Sequence, residues 1–499
     1  MRSDKNMHGG SAGKNDSIGI YIHIPFCRSK CYYCDFNSYA GREHLAGSYF
    51  DALSREIMFR SRYIGDRRVS SVFIGGGTPS LVDPGYITKL VGLCREHFRV
   101  DDGAEISIES NPGTLTYEKL RAYRDAGVNR LSMGLQAWQD HILKNIGRIH
   151  TGRQFADNLE AAEKCGFNNV NVDLIFGLPG QTLEDWKETL EAVTGYGPAK
   201  NATAGHGSPV RHISCYSLKI EEGTVFGDRL EAGLLEPADD ELDREMYYLA
   251  VDMLAEKGYR QYEISNFAVP GYECRHNLLY WKAKEYAGFG AGAHSYLDGV
   301  RFSNVTGIEE YIRATGSVCS RSGTDGVRSR HDCAMENRGA GPAMPGGTAD
   351  DGTCTAMAYS PEEMEGLHEN IEVIDREEAM SEYMILGLRL TEGVSSAEFR
   401  ERFGERLEAR YGDKLDRLIA KGLIEAIRPA AGTRAGSGTA GTGSDGRMAG
   451  ASTETRTYRI KGWNNETGAC NTDHCGREIR YRLTRKGFDL ANSVFVEFI

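Results

Sequence analysis

Residues 21–36 read Tyr21-Ile-His-Ile-Pro-Phe-Cys27-Arg-Ser-Lys-Cys31-Tyr-Tyr-Cys34-Asp-Phe36, and this stretch decides the fold. Its three cysteines have C-x3-C-x2-C spacing and follow an alternating apolar run that predicts a β-strand. Thiolates at this spacing can converge on one face of a tight loop and ligate an iron–sulfur cluster. A cubane cluster usually takes four protein ligands, so three cysteines leave one iron open. The stretch therefore predicts a [4Fe-4S] cluster with one open coordination position.

A zinc site and a chance grouping are the alternatives, because the chain contains 12 cysteines. Structural zinc needs four closed ligands, which usually come as two separated pairs. No second pair with suitable spacing is obvious in the sequence. The cluster is therefore the favoured interpretation, and the motifs downstream of the cysteines strengthen it.

Composition limits the classes of protein that the chain can belong to. Its 499 residues are enough for two or three domains, and its net charge of −12 argues against nucleic acid as a main partner. No apolar run approaches the ~20 residues that cross a bilayer. The first 17 residues are polar and lack the apolar centre of a signal peptide. We therefore expect a cytoplasmic protein with reduced thiols and no membrane span.

Short apolar strands alternate with amphipathic helices through the first half of the chain. Six β-α repeats of this kind predict an α/β fold with a parallel sheet and outer helices, curled into an open (β/α)6 partial barrel of the TIM type. Function gathers at the carboxyl ends of the strands in such barrels, and the cysteine loop begins where the first strand ends. The six predicted strands are 17–24, 69–74, 104–109, 129–134, 170–176 and 212–218.

Composition also divides the chain into segments. We predict a disordered tail over 1–16, the barrel core and its extension over 17–316, and a disordered insertion over 317–359. Residues 360–499 then form a small C-terminal helical, winged-helix-like domain. Within it, a low-complexity insertion at about 429–478 interrupts a predicted hairpin of strands 423–427 and 481–484.

Polar and glycine-rich residues follow the ends of the predicted strands. The glycines before Thr78 end the second strand, Glu109 ends the third, and Gln136 ends the fourth. Arg148 follows in the loop, and Asp173 lies in the fifth strand. Glycines let a backbone approach a ligand closely, and a planar guanidinium pairs with a carboxylate. Convergence at one barrel mouth suits a zwitterionic, hydroxylated ligand.

These motifs resemble those of the radical S-adenosylmethionine (SAM) superfamily. The stretches GGGTPS from residue 75, NRLSMGLQ from 129, GRIH from 147 and YEISNFA from 262 are similar to relatives of oxygen-independent coproporphyrinogen-III oxidase. The resemblance covers about four-fifths of the chain. It implies that SAM chelates the open iron. By position, it also implies these SAM contacts: Tyr21, Tyr33, Gly76, Gly77, Thr78, Glu109, Gln136, Arg148 and Asp173.

Three observations choose a branch of this family. The oxidases carry a cysteine two positions after the third ligand, where this chain has Phe36. They also have a longer segment before the first strand. Finally, His276-Asn277-Leu-Leu-Tyr280-Trp281 matches the H-N-x-x-Y-W motif of the haem chaperone branch, the HemW-like proteins.

The motif makes His276 the predicted haem ligand, since neutral imidazole is a usual axial ligand of haem iron. The alternative is an ordinary core histidine near a turn, with Tyr280 and Trp281 in the core. His294, within a glycine-rich run, is a second candidate ligand.

The resemblance implies a haem chaperone on a radical SAM scaffold, which is a binding and transfer protein rather than an enzyme. It would hold haem, a [4Fe-4S] cluster and SAM. Its partners would be apo-haemoproteins, such as membrane-associated respiratory cytochromes, and it would act as a monomer or homodimer. The alternative function is an oxygen-independent coproporphyrinogen III oxidase, which decarboxylates propionates with a deoxyadenosyl radical.

Overall fold

The structure is a computed structural model that describes residues 17–196, 209–321, 366–427 and 478–499. The predicted tail and most of both predicted insertions lie outside the described residues. The chain divides into two compact units. The first ends at Ile374. The second runs from Asp375 to the end and also takes in two short segments, Tyr262–Ile264 and Trp281–Ala283.

Six parallel strands form the centre of the first unit and confirm the predicted (β/α)6 arrangement. Each strand pairs with the next one in the chain, so the order in the sheet follows the order in the sequence. We number them β1 Ile18–Ile24, β2 Arg68–Gly76, β3 Arg99–Ser110, β4 Arg130–Gln136, β5 Val170–Phe176 and β6 Val210–Ser217.

The sheet stays open and continues past both of its outer parallel strands. Beyond β1 it adds Tyr286–Phe289, which is parallel to β1, and then the antiparallel strands His294–Leu297, Val300–Asn304 and His368–Val373. Beyond β6 it adds the antiparallel strands Asn266–Ala268 and Arg260–Gln261. A two-residue pair, Phe26–Cys27 with Tyr39–Ala40, lies in the cysteine loop.

The strands are buried on both faces, as expected for a parallel sheet covered by helices. All seven residues of β4 are buried, for example. Apolar residues such as Leu131 and Val172 belong to the main hydrophobic core, while Ser132, Asn171 and Asp173 line the inside of the barrel. Alternation along each strand therefore separates an apolar outer layer from a polar interior.

Helices cover the outer face of the sheet. Thr151 and Thr182 each form a capping box at a helix start, which satisfies otherwise unpaired backbone donors. The helices of this unit are Ala46–Ile64, Pro84–His97, Tyr117–Asp125, Asp140–Asn145, Gly152–Lys164, Leu183–Thr194, Val225–Glu231, Asp240–Glu256, Arg275–Trp281 and Ile308–Arg321, and the short 3-10 turns are Glu43–Leu45 and Pro79–Leu81.

The second unit has its own hydrophobic core and a three-stranded antiparallel sheet. The predicted hairpin is confirmed, because Ile424 pairs with Leu483. Two short helices near the end of the chain are separated by Leu490. The strands are Val394–Ser395, Ile424–Ile427 and Arg480–Leu483, and the helical segments are Arg376–Gly387, Ser396–Phe403, Leu407–Ala420, Arg485–Asp489, Ala491–Phe495 and the 3-10 turn Val496–Phe498.

Candidate functional site

The cysteine loop leaves β1 at the carboxyl edge of the sheet and is anchored there by backbone hydrogen bonds. The Gly77 amide donates to the Ile24 carbonyl at 2.8 Å, and the Thr78 amide donates to the Phe26 carbonyl at 2.8 Å. Cys27 is buried, while Cys31 and Cys34 are half-buried. The loop therefore offers three thiols from a fixed base, two of them reachable from the mouth of the barrel.

Burial and nearby donors act in opposite directions on these thiols. Burial raises the pKa of Cys27, and the Thr78 hydroxyl, 3.5 Å from its sulfur, partly opposes that rise. Burial also raises the pKa of Cys34, and a hydrogen bond from the Phe36 backbone opposes it. The Arg148 guanidinium lies 3.7 Å from the Cys31 sulfur. Donors and a cation beside three sulfurs fit a site that holds thiolates against an iron–sulfur cluster.

The glycines at the end of β2 lie too close to neighbouring atoms to be replaced by residues with a side chain. A Cβ at Gly76, whose φ is +111°, would lie 2.5 Å from the His23 ring. A Cβ at Gly77 would lie 2.7 Å from the Phe26 carbonyl oxygen. The motif therefore brings its backbone against β1 and the cysteine loop, which is the close approach expected of it.

Glu109, at the end of β3, is held beside this glycine turn. Its carboxylate accepts a hydrogen bond from the Gly76 amide at 2.9 Å. Burial raises the pKa of Glu109 to about 8, and the negative charge of Asp173 adds to the rise. A carboxyl group of this kind is protonated at neutral pH until a cationic partner approaches it.

Asp173 belongs to a polar network inside the barrel. One of its oxygens accepts from the Ser132 hydroxyl at 2.8 Å, and the other accepts from the Asn171 amide at 2.9 Å. The Asn171 oxygen lies 2.6 Å from His212 Nδ1. Neither Asn171 nor His212 belongs to a recognisable sequence motif, although both lie on the inner face of their strands.

Arg148 is fixed by three contacts at the same edge. Its guanidinium donates to the Asn111 side-chain oxygen and to the Gly134 carbonyl, both at 2.9 Å, in addition to its contact with Cys31. Asn111 in turn donates to the Thr78 hydroxyl at 2.9 Å. Gln136, at the end of β4, is buried and has φ of +71°.

Of the two predicted tyrosine contacts, Tyr21 lies in β1 and Tyr33 lies within the cysteine loop. The Tyr21 hydroxyl is 2.9 Å from His23 Nδ1, and burial raises the pKa of Tyr21 well above its ordinary value. Burial likewise raises the pKa of Tyr33, whose hydroxyl lies near Cys31 and Arg148. The structure thus brings the predicted cluster and SAM residues together around one edge of the barrel.

A cavity of about 180 Å³ lies inside the barrel below this edge. Three of the predicted SAM contacts reach into it, namely Tyr21, Glu109 and Asp173. The remaining lining residues are Phe73, Arg130, Ser132, Asn171, Ser214, Tyr216, His276, Asn277 and Tyr280.

His276 forms part of the cavity wall at the end of the barrel remote from the cysteines. Its ring is 1% exposed, with Nδ1 2.8 Å from the Ser71 hydroxyl and Nε2 2.8 Å from the Tyr280 hydroxyl. The ring stacks on Phe73, and a Cβ at Gly19 would lie 3.1 Å from it. Burial lowers the pKa of His276 to about 3. Because both ring nitrogens are engaged and covered, this arrangement does not fit axial ligation of haem.

A buried carboxylate holds the short helix that carries this histidine. Glu105 of β3 accepts from the Arg275 amide at 3.1 Å and from the His276 amide at 3.3 Å. Sequence reasoning missed Glu105 and Ser71, since neither belongs to a recognisable motif.

No helix in the described part of the chain is long and apolar enough to cross a membrane.

Two family models match the chain. The model of the radical SAM superfamily matches residues 21–193, and that of the HemN C-terminal domain matches residues 374–428. The solved structure of the coproporphyrinogen III oxidase HemN from Escherichia coli, a radical SAM enzyme, superposes with a TM-score of 0.66. The superposition covers 97% of this chain and 90% of that structure, with 20% sequence identity. The two proteins therefore share a fold.

Curated relatives show the family. The Heme chaperone HemW of Bacillus subtilis (strain 168) is 34% identical over 405 residues, which are 81% of this chain and 92% of the relative. The Heme chaperone HemW of Escherichia coli (strain K12) is 37% identical over 278 residues, which are 56% of this chain and 69% of that relative. Together with the radical SAM match, these similarities show that the chain belongs to the HemW family of radical SAM proteins.

Proposed function

We propose that this protein is a haem chaperone that binds haem and transfers it to apo-haemoproteins. The observation that carries the proposal is the similarity to the Heme chaperone HemW of Bacillus subtilis, which extends over 92% of that relative. Phe36 supports the same choice, because the family resemblance implies that the oxidases carry a cysteine at this position.

The proposal includes a [4Fe-4S] cluster on Cys27, Cys31 and Cys34, with SAM at its open iron. A reduced cluster of this type supplies an electron that can cleave SAM. The backbone around Gly76 and the Glu109 carboxyl would receive the amino group of SAM. Its carboxylate would pair with the planar guanidinium of Arg148. The other residues assigned to SAM are Tyr21, Tyr33, Gly77, Thr78, Gln136 and Asp173.

The size of the barrel cavity argues against a tetrapyrrole inside it. Ligand pockets for drug-sized molecules usually enclose ~300–1,000 Å³. At about 180 Å³, the cavity of this chain is smaller than that range. A tetrapyrrole with four propionates exceeds a drug-sized molecule and does not fit this volume. The proposal therefore places haem outside the cavity.

The proposed recipients are apo-haemoproteins, with respiratory cytochromes as the leading class, and the proposed location is the cytoplasm. The net charge of −12 argues against a nucleic acid partner. A monomer or a homodimer would suit a protein that must release its cargo to a partner.

The test compares transfer with turnover. The full chain, loaded with haem and its reconstituted cluster, is mixed with an apo-cytochrome, and the transfer of the Soret band to the cytochrome is followed. A parallel anaerobic sample receives SAM, a reductant and coproporphyrinogen III. We expect haem transfer and no protoporphyrinogen IX. Turnover of coproporphyrinogen III without haem transfer would replace the proposal with the oxidase function.

A further inference from the structure

The three thiols of the cysteine loop are fixed in two different ways. Cys27 lies on the short strand at the base of the loop, which pairs with Tyr39–Ala40. Cys31 and Cys34 instead begin and end a tight turn, in which the Cys34 amide donates to the Cys31 carbonyl at 3.2 Å. That hydrogen bond sets the shape of the turn but not its place over the barrel. Contacts from outside the turn must therefore hold these two thiols in position.

Tyr32, the second residue of this turn, is bonded through its backbone to two segments at the barrel mouth. Its amide donates to the Ile146 carbonyl at 3.1 Å, and its carbonyl accepts from the Phe226 amide at 2.9 Å. Ile146 directly follows the helix Asp140–Asn145, which comes after β4. Phe226 belongs to the helix Val225–Glu231, which comes after β6. The turn is therefore tied to segments that follow two different strands of the barrel.

The Tyr32 side chain packs on the same two segments. Its ring meets the Phe226 ring edge-on, with centroids 6.1 Å apart, and the Arg229 guanidinium lies 4.8 Å from the ring centre. A Cβ at Gly147 would lie 2.9 Å from the ring. Aromatic pairs and cations over a ring both stabilise a contact of this kind. No hydrogen bond of the Tyr32 hydroxyl is found in the described parts of the chain, so the ring itself makes the contact.

The segment that touches the Tyr32 ring also reaches a cluster thiol. Arg148 follows Gly147, and its guanidinium lies 3.7 Å from the Cys31 sulfur. Residues 146–148 thus meet the turn at three points: the Tyr32 amide, the Tyr32 ring and the Cys31 sulfur. Gly147 has φ of +77°, a conformation that suits glycine, and its missing side chain leaves room for the ring.

We propose that Tyr32 is the positioning residue of the cluster site, and that its ring and backbone hold Cys31 and Cys34 against the barrel mouth. The inference rests on the cluster of the proposed function and adds a residue to its support. Tyr32 acts through the two thiols of its turn, as groups around metal ligands commonly orient those ligands. Cys27 keeps its place through the strand pair and does not depend on Tyr32.

The first test measures how firmly the cluster holds its iron. The full chain is reconstituted anaerobically, and release of iron to an excess of a coloured chelator is followed. Tyr32→Ala should release iron about fivefold to tenfold faster than wild type, because the ring contacts are lost while all three thiols remain. Tyr32→Phe should restore the wild-type rate, since it keeps the ring.

Phe36→Ala is the matched control for this measurement. It removes another ring of the same loop, one that is 59% exposed and that packs on no other ring among the described residues. It should change the rate of iron release less than about twofold. An effect as large as that of Tyr32→Ala would contradict a specific role for Tyr32.

The EPR spectrum of the reduced cluster separates positioning from a general loss of stability. Tyr32→Ala should shift or broaden the signal, because two ligands of the cluster change their geometry, while circular dichroism shows the wild-type fold. Tyr32→Phe and Phe36→Ala should give the wild-type signal. A wild-type signal and wild-type iron release in Tyr32→Ala would overturn the inference.

A second arm approaches the ring from the glycine, and it decides the question even if Tyr32→Ala does not fold. Gly147→Ala would press its Cβ on the Tyr32 ring and should speed iron release about fivefold. Gly166→Ala is matched to it, because Gly166 also has positive φ, +83°, but has nothing within 4 Å of the added Cβ. Equal rates in the two variants would overturn the contact.

The double variant sharpens this arm. In a Tyr32→Ala background, Gly147→Ala should add little, because the ring that it would displace is gone. Fully additive effects would contradict the contact between the two residues.

The outcomes separate this inference from the proposed function. A wild-type chain that assembles no cluster would refute the proposed cluster and the inference together. Normal iron release in Tyr32→Ala, beside an intact wild-type cluster, would overturn the positioning role and leave the proposed function standing. Haem does not enter these measurements, so a failure of haem transfer would refute the chaperone function alone.

Discussion

The two ends of the barrel hold their polar groups in different ways. At the carboxyl edge, Cys31 and Cys34 remain half-buried, and the Arg148 guanidinium lies beside the Cys31 sulfur. At the other end, the His276 ring is fully covered and both of its nitrogens are bonded within the protein. A group that must bind an external ligand keeps part of its bonding capacity free. At His276 that capacity is used within the protein.

The largest expected effect is at the carboxyl edge of the barrel. Cys31→Ala removes one of three thiolates, so anaerobic reconstitution should yield no stable [4Fe-4S] cluster by Mössbauer spectroscopy and iron analysis. Cys165→Ala is the control, because that half-buried thiol lies at the end of an outer helix, 3.7 Å from the Tyr117 carbonyl. A normal cluster in Cys31→Ala, or its loss in Cys165→Ala, would refute the assignment of ligands.

The next effect concerns the glycine turn. Gly76→Ala should abolish measurable SAM binding, because its Cβ would press on the His23 ring at 2.5 Å and displace the turn. Gly180→Ala is matched to it, since Gly180 also has positive φ, +78°, but has open space around it. Calorimetry with SAM, on samples whose clusters are intact, should show normal affinity for Gly180→Ala. Equal affinity in the two variants would remove the turn from the SAM site.

The smallest expected effect concerns the opposite end of the barrel, where His276 lies. Tyr280→Phe leaves His276 Nε2 buried without its partner, which should cost ~1–3 kcal/mol of unfolding free energy. Tyr123→Phe is the control, because the buried Tyr123 hydroxyl has no hydrogen-bond partner among the described residues. Chemical denaturation of the two variants measures the difference. If Tyr280→Phe is as stable as Tyr123→Phe, the contrast between the two ends of the barrel is smaller than the hydrogen bonds imply.

Local pattern was sufficient to predict the six parallel strands and the edge where the site forms. Each predicted strand is a short, mainly apolar run, and parallel topology carries Glu109 and Asp173 to the same side. The strands beyond β1 escaped prediction, because they are only four to six residues long and two of them flank the glycine-rich run 288–293.

The environment of His276 could not be predicted for a different reason. The motif contains histidine, the residue type that commonly ligates haem iron, and this is visible from the motif alone. Its burial depends on Ser71, 205 positions away in the chain, and on Glu105, which holds the helix start. The spacing of residues within the motif gives no information about such distant partners.

The pairing of β1 has a consequence for how the protein is made. Gly19 pairs with Ser71 on one side and with Tyr286 on the other, so the strand that leads into the cysteine loop gains its second neighbour late in synthesis. At ~5–20 residues per second, that interval is on the order of ten to fifty seconds. During this time one edge of β1 presents unpaired amides and carbonyls on the nascent chain, where another strand can bind. The strand that leads into the cysteine loop is therefore complete on both sides only after residues 286–289 have been synthesised.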